Sequence, residues 1–181
     1  PTPPSKPSSL PSPSPTSSTG GGTTSACAYN WKPPRQWDSV YAPPCVPSYV
    51  GDNGGALQPG VSATEWNMVV SFYGQQQTDG WINDASAKGS AQLRTLNDIQ
   101  KYFNAHAMMY GRKLQLAYAT EASATAEEST QRSDVTDAIG KYHPIAAQIE
   151  GSQAEIDEWS KNHVVNDSWL SPIESVYQRN Q

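Results

Sequence analysis

The sequence predicts an α/β fold built on a partial parallel β-α-β sheet, preceded by a disordered Pro/Ser/Thr-rich tether. Two observations predict the sheet: after residue 60, short apolar runs alternate with segments of helical periodicity, and the helical segments carry start and stop signals. A third observation predicts the tether, since the first 26 residues are almost entirely Pro, Ser, Thr and Gly. The chain therefore divides into a linker at 1–26, a Pro/Gly-rich arm at 27–60 and an α/β region at 61–181.

The tether contains only Lys6, Leu10 and Ala26 besides Pro, Ser, Thr and Gly. Such a segment cannot bury enough apolar surface to offset the entropy that it would lose on ordering. We therefore expect a solvated linker with partial polyproline II character, of the kind that holds a domain away from a cell wall or trails a secreted enzyme. A disordered tail with no particular role is the simpler alternative.

The arm contains both cysteines of the chain, Cys27 and Cys45, in a Pro-rich context. Neither belongs to a CxxC pair, and the histidines are too scattered for HxxxH or HExxH spacing: His106, His143 and His163. We therefore expect a disulfide and no metal site. A disulfide that closes a loop of this size removes about 3 kcal/mol of unfolded-state entropy, and it implies an oxidising compartment. Two unpaired thiols in a cytosolic protein are the alternative.

The first strand is predicted at Trp66–Tyr73, WNMVVSFY. This nearly continuous apolar run, rich in β-branched and aromatic residues, is typical of a strand that is covered on both faces. A helix is predicted after the polar stretch that follows, with Gly111 as its C-terminal stop. Its apolar residues recur at helical spacing: Leu93, Leu96, Ile99, Phe103 and Ala107.

The rest of the chain continues the alternation. KLQLAYA, from Lys113, reads as a second strand, and TAEE, from Thr125, offers a capping box before a second helix that ends at Pro144. PIAAQI is a third short strand, SQAE from Ser152 is another capping box before a third helix, and HVV at 163–165 is a candidate fourth strand. The order β-α-β-α-β-α-β implies right-handed crossovers and helices on both faces of a parallel sheet.

Charge and motifs exclude several classes of function. The formal net charge is -5, and no cluster of Lys or Arg supplies the basic stripe on which nucleic-acid binding depends. No apolar run approaches the ~20 residues of a membrane span. The G-x-G-x-x-G, Walker and G-x-S-x-G motifs are missing. We expect no cofactor, no metal and no nucleic-acid partner.

Two stretches resemble one known family. SVYAPPCVPSYVGDNGGALQPGVSATEW, from Ser39, leads into the first strand, and YGRKLQLAY, from Tyr110, leads into the second. Together they resemble the N-terminal part of actinobacterial ABC-transporter substrate-binding proteins of the periplasmic binding protein type 1 class, the kind that binds branched-chain amino acids. The resemblance is specific over residues 39–62 and 110–118, and the order of elements agrees to about residue 160.

The resemblance implies the extracytoplasmic solute-binding component of an ABC importer, without catalysis of its own. It implies a small amino acid or related polar solute as the ligand and a membrane permease as the partner. The implied location is extracellular and associated with the cell surface, as a secreted lipoprotein anchored before residue 1. Because that family encloses its ligand between two lobes, we expect this chain to be a fragment that holds part of the N-terminal lobe. A degenerate relative that binds nothing alone is the alternative.

The ligand site is expected beyond the carboxyl ends of the strands, near the switch point of the sheet. Gly151 and Ser152 lie at a predicted helix N-terminus, where free backbone N–H groups and the positive end of the helix dipole can receive a solute carboxylate. Tyr73 and Gln75, after the first strand, are expected to supply a ring face and an amide. Ordinary roles are also open to these residues, since Ser152 can be a plain N-cap, Tyr73 a core residue and Gln75 a solvated one.

A secreted carbohydrate-active enzyme is the alternative function, because Pro/Ser/Thr tethers often join glycosidase modules. Glu121 and Glu150 each follow a predicted strand. If those strands flank the first one, the carboxylates would lie about 9.6 Å apart, at two strand spacings of roughly 4.8 Å, at the edge of the separation found in inverting glycosidases. Six tryptophans would suit a carbohydrate-binding module, but that module predicts a β-sandwich, and the helical pattern at 91–110 counts against it.

Overall fold

The computed structural model describes residues 27, 30–45, 49–73, 79–107, 109–123 and 125–168. The predicted tether at 1–26 lies outside this range. The helices and strands are β1 (Glu65–Tyr73), β2 (Gly80–Trp81), α1 (Ala91–His106), β3 (Lys113–Glu121), α2 (Glu128–Tyr142), β4 (Ala146–Ile149), α3 (Gln153–Lys161) and β5 (Val165–Ser168). A short 3₁₀ helix at Asp84–Lys88 precedes α1.

The five strands form one sheet in the order β2-β3-β1-β4-β5. β1 is central, pairing in parallel with β3 on one side and with β4 on the other, and β5 continues in parallel beyond β4. The two-residue β2 runs antiparallel to β3 at the edge of the sheet. The prediction of an α/β chain with a parallel sheet is confirmed. β2 was not predicted, because a two-residue strand has no periodicity to read.

α1 covers one face of the sheet. Its first turn is capped by Ser90, whose side chain accepts a hydrogen bond from Leu93 N at 3.3 Å. Ile99 is 49% exposed, so the buried stripe of α1 is narrower than its apolar pattern suggests. The apolar cluster on this face comprises Val61, Trp66, Met68, Val70, Phe72, Ile82, Leu93, Leu96, Phe103, Leu114, Leu116, Tyr118 and Ile145.

The C-terminus of α1 differs from the prediction. The helix ends at His106, and Ala107 is already extended, with φ of −122°. Gly111 instead follows Tyr110 in the turn that leads into β3, where both residues have positive φ, 51° for Tyr110 and 78° for Gly111. Glycine suits this position because it carries no steric penalty at positive φ, but it shapes the turn and not the helix end.

α2 and α3 cover the opposite face of the sheet. Successive residues of a strand point to opposite faces, so the side chains of β1 divide between the two helical layers. The apolar cluster on this second face comprises Val69, Ala117, Ala119, Val135, Ala138, Ile139, Tyr142, Ala147, Ile149, Ile156, Trp159 and Val164. The prediction of helices on both faces is confirmed.

The two predicted capping boxes had different outcomes. At α3 the box is formed: Ser152 Oγ accepts a hydrogen bond from Glu155 N at 3.2 Å, and the Glu155 carboxylate accepts one from Ser152 N. At α2 the prediction was wrong, because Glu127 occupies the N-cap position without a side-chain cap. Thr125 pairs its hydroxyl with that of Ser123 at 3.0 Å, in the loop that precedes the helix.

The arm is fastened to the amino end of the sheet. The predicted disulfide between Cys27 and Cys45 is formed. Arg112, just before β3, is 3% exposed and donates to three carbonyl oxygens of the arm and the segment after it, Ser62 O at 2.6 Å, Asn53 O at 2.6 Å and Gly55 O at 2.8 Å. The GDNGG and YGRK motifs of the sequence therefore meet, with the arginine of one binding the backbone of the other.

Gly60, at the end of the arm, lies against the turn after α2. A Cβ at Gly60 would lie 1.9 Å from the carbonyl oxygen of His143. Only glycine permits this approach, so Gly60 allows the end of the arm to pack closely against the turn between α2 and β4. Among the helices that the structure describes, none has both the length and the apolar character needed to cross a membrane.

Candidate functional site

The carboxyl ends of β1, β3 and β4 lie side by side, and the chain leaves them in different directions. After β1 the chain passes to α1 on one face of the sheet, whereas after β4 it passes to α3 on the other face. The gap between the ends of β1 and β4 is therefore the topological switch point of the sheet, where parallel α/β folds usually bind ligands.

Tyr73, the last residue of β1, is connected to both neighbouring segments. Its backbone N–H donates to Glu150 Oε2 at 3.1 Å, and its hydroxyl donates to Glu155 Oε2 at 2.9 Å. Burial, the hydrogen bond to Glu155 and the charge of that carboxylate raise the pKa of Tyr73 above its usual value. The Tyr73 hydroxyl is therefore a neutral donor that orients Glu155. Gln75, the other residue predicted after β1, lies outside the described residues.

Gly151 and Ser152 lie at the switch point, as predicted, beside the N-terminus of α3. Gly151 has φ of 64°, and a Cβ there would lie 3.0 Å from Ile149 Cδ1 and 3.0 Å from Ser168 Oγ. Ser152 Oγ donates to Gln131 Oε1 on α2 at 2.6 Å. Glycine therefore allows the tight turn by which β4 enters α3.

Two backbone amides just before this helix are engaged by the chain's own carboxylates. Ser152 N donates to Glu155 Oε2, and the backbone N–H of Gly151 stabilises the charged form of Glu121. Both amides belong to the two residues that were predicted to lie at the site for a solute carboxylate. A second anion would have to displace a glutamate from one of them.

Glu121, the last residue of β3, is a buried acid of the site. It is 3% exposed, and its Oε1 accepts a hydrogen bond from Ser71 Oγ on β1 at 2.5 Å. Burial raises its pKa from 4.5 to about 7, with the charges of Glu155 and Glu150 adding to the rise and the bonds from Ser71 and Gly151 opposing it. Burial therefore favours the protonated form of this carboxyl more than in an exposed glutamate.

Two carboxylate oxygens of this site are buried without a hydrogen-bond partner, Oε2 of Glu121 and Oε1 of Glu155. Glu155 is fully buried, with 0% of its surface exposed. Over the ranges of the chain that the structure describes, no lysine or arginine forms an ion pair with Glu121, Glu150 or Glu155. A buried, unpaired carboxylate is costly, so the site has unused capacity to accept hydrogen bonds and positive charge.

We call this group of side chains the acidic site: Ser71, Tyr73, Glu121, Gln131, Glu150, Gly151, Ser152 and Glu155. Sequence reasoning placed Tyr73, Gly151 and Ser152 in it, and named the glutamates at 121 and 150 for a different function. It missed Glu155 as a site residue because the capping box accounted for it. One feature of the sequence could have indicated Ser71 as a site residue: it is the polar residue between Val70 and Phe72 in an otherwise apolar part of the strand.

The described residues contain no group of three or more His, Cys, Asp or Glu side chains arranged to hold a metal ion. A separate open cavity of about 420 Å³ lies at the opposite end of β1 and is lined in part by Pro59, Val61, Glu65 and His143. It contains none of the predicted ligand-binding residues.

Comparisons with known proteins give no family for the chain. No family model, no curated protein and no solved structure matches it.

Proposed function

We propose that the chain is the solute-binding component of an ABC importer and that it binds a small amino-acid-like solute through the ammonium group of that solute. The observation that carries the proposal is the pair of buried carboxylate oxygens without partners, on Glu121 and Glu155, at the switch point of the sheet. The resemblance of the arm and of the YGRK segment to solute-binding proteins supports the importer. No catalysis is required of the site.

An ammonium group matches the acidic site in charge and in hydrogen bonding. It carries three N–H donors and one positive charge, while Glu121 and Glu155 each have one buried oxygen with no partner. Pairing a buried carboxylate with a cation through a direct hydrogen bond is the usual way in which proteins offset the cost of burying both charges. Glu150, which is half-buried, adds negative charge beside them.

The carboxylate of an amino acid would lie away from the acidic site. The amides of Gly151 and Ser152 are engaged with Glu121 and Glu155, and a second carboxylate beside these acids would be repelled. The ammonium group therefore points inward, and the carboxylate points toward a second lobe or solvent. In this arrangement Ser152 and Gly151 orient the glutamates rather than contacting the solute directly.

The proposed location is extracellular, with the chain held at the cell surface and delivering its solute to a membrane permease. The disulfide between Cys27 and Cys45 supports an oxidising compartment, because disulfides are rare in proteins of the reducing cytosol. The Pro/Ser/Thr-rich composition of residues 1–26 supports a tether between an anchor and the domain.

Acid–base hydrolysis of a carbohydrate is a second candidate function, and one observation favours it. Glu121 ends β3 and Glu150 follows β4, and these two strands flank β1, as the estimated separation of the two carboxylates assumed. The pKa of Glu121 is raised to about 7. A carboxyl group with a raised pKa is suited to act as a general acid. Glu150 would be the second carboxylate of the pair.

A titration with three matched compounds tests the proposal. Alanine carries both charged groups, ethylamine only the ammonium group and propionate only the carboxylate. The amide resonances of Tyr73 and Gly151 are followed by NMR at pH 8. We expect them to shift with alanine and with ethylamine, and not to shift with propionate. The Kd should be about 1 mM or weaker, because the site encloses only one side of the ligand. Glu121→Gln and Glu155→Gln should each weaken ethylamine binding at least tenfold.

The matched control is Glu65→Gln, which removes an exposed carboxylate at the far end of β1 and should leave binding unchanged. Propionate binding as tight as that of ethylamine, or no binding of any of the three compounds, would overturn the proposal. A glycoside-hydrolysis assay of the full chain separates the second candidate. Hydrolysis that is lost in both Glu121→Gln and Glu150→Gln would establish the enzyme in place of the receptor.

A further inference from the structure

The carboxyl of Glu121 and that of Glu155 differ in how their oxygens are used. On Glu155, Oε2 accepts bonds from Tyr73 and from Ser152 N, so this carboxylate is held by two donors. On Glu121, the one side-chain donor is Ser71 Oγ, which bonds to Oε1. Glu121 Oε2 is buried without a hydrogen-bond partner, and it is the atom on which a proton would reside.

The groups around Glu121 are acidic or neutral on every side. Glu150, after β4, and Glu155, on α3, make its ionisation harder by their charge, and the neutral Tyr73 is its register partner on β1. On α2, Asp134 accepts a hydrogen bond from Ala122 N at 2.8 Å, one residue beyond Glu121. The described residues place no histidine, lysine or arginine against it. A cation that enters the acidic site therefore favours ionisation of Glu121 directly.

We propose that the ammonium group of the solute binds at Glu121 Oε2 and Glu155 Oε1 in exchange for the proton of Glu121, so that solute binding releases one proton. This rests on the proposed function and adds to it a coupling to pH. The exchange balances in charge and in atoms: the O–H bond of the Glu121 carboxyl breaks, its proton leaves to solvent, and R–NH₃⁺ enters unchanged. The two buried oxygens without partners become the acceptors of two ammonium N–H bonds.

Exchange of a proton for the solute makes the affinity for the solute depend on pH. Since the pKa of Glu121 in the free chain is about 7, a proton competes with the cation for this carboxyl as the pH falls below neutrality. Solute affinity would fall about tenfold for each pH unit below 7 and would level off above it, because one proton competes with one solute. A low surface pH would therefore promote release, and a higher pH would promote capture.

The test follows ethylamine binding to the full chain between pH 5.5 and 8.5. Ethylamine stays protonated over this range, as an alkyl ammonium group resembles that of lysine, with a pKa of about 10.4. The Kd should rise about tenfold per pH unit below 7 and be constant above about 8. A pH indicator in weakly buffered solution should record close to one proton released per ethylamine bound at pH 6, and close to none at pH 8.5.

Two variants sharpen the result. Glu121→Gln keeps the shape of a protonated glutamate, so it should bind ethylamine at least tenfold more weakly at pH 8 and with no dependence on pH. Glu65→Gln should retain the full pH profile. Binding of ethylamine with a flat pH profile and no proton release would overturn the exchange while leaving the proposed function in place. Failure of ethylamine to bind at any pH would overturn both.

Discussion

The two ends of the sheet differ in how completely their buried charged groups are hydrogen-bonded. At the amino end, Arg112 is 3% exposed, and its guanidinium donates to three backbone carbonyls. At the carboxyl end, Glu121 and Glu155 are equally buried, but each keeps one oxygen without a partner. A buried charge that is paired through several hydrogen bonds fixes structure, whereas one with an unpartnered atom costs stability and is retained where a ligand or a proton completes it.

Removing the charge at the amino end should produce the largest effect on stability. Arg112→Met deletes the donor of three hydrogen bonds to backbone carbonyls and releases the arm, so we expect the free energy of unfolding to fall by about 3–5 kcal/mol. Chemical denaturation measures this. Arg94→Met, at an exposed position of α1, should change stability by less than about 0.5 kcal/mol. Equal effects of the two substitutions would show that the arm is not held by Arg112.

Removing the charge at the carboxyl end should instead change how stability depends on pH. The pKa of Glu121 is raised from 4.5 to about 7, so the folded chain binds more protons than the unfolded chain between these values. The protonation of Glu121 therefore makes its full contribution to the free energy of unfolding below pH 4.5. That contribution, on the order of 3 kcal/mol, is lost as the pH rises through 7.

Glu121→Gln removes this dependence. We expect the variant to gain stability over the native chain at pH 8 and to match it near pH 4.5, as measured by urea denaturation at a series of pH values. Glu65→Gln should run parallel to the native chain. A native stability that rises between pH 5 and 7 by more than in the variant would contradict the raised pKa.

A smaller effect is expected at the turn between β4 and α3. Gly151→Ala places a Cβ at positive φ and within 3.0 Å of two side-chain atoms, so unfolding should become easier by about 1–2 kcal/mol. Gly140 lies on α2 with open space around it, and Gly140→Ala should stabilise the chain by about 0.5–1 kcal/mol. Opposite signs in thermal unfolding are the expected outcome. A neutral Gly151→Ala would mean that the turn tolerates a side chain.

The sequence predicted the elements that carry strong local signals. The apolar run at 66–73 became β1, and SQAE at 152–155 formed its capping box, because these patterns depend on neighbours in the chain. TAEE has the same spacing but formed no cap, since Thr125 bonds with Ser123 instead. The Thr125 hydroxyl could bond either to the helix N-terminus or to Ser123, and the sequence pattern alone does not distinguish the two.

The acidic site could be predicted only in part. Its place at the carboxyl ends followed from the alternation of strands and helices, and Tyr73, Gly151 and Ser152 followed from that place. The use of the helix amides by Glu121 and Glu155 did not follow, because it depends on strand order and on distances between β3 and α3. The role expected for Gly151 and Ser152, in the binding of a solute carboxylate, stays a prediction.

The most direct test of the account is the ionisation of Glu121 itself. The side-chain carboxyl ¹³C resonance of Glu121, assigned by its loss in Glu121→Gln, can be followed against pH with and without ethylamine. The account predicts a midpoint near pH 7 in the free chain, where burial sets the pKa. Saturating ethylamine should lower that midpoint by about one pH unit or more, because a bound cation favours the carboxylate. A free midpoint near the ordinary glutamate value, or a midpoint that ethylamine leaves unmoved, would contradict the assignment of the acidic site as a cation-binding site.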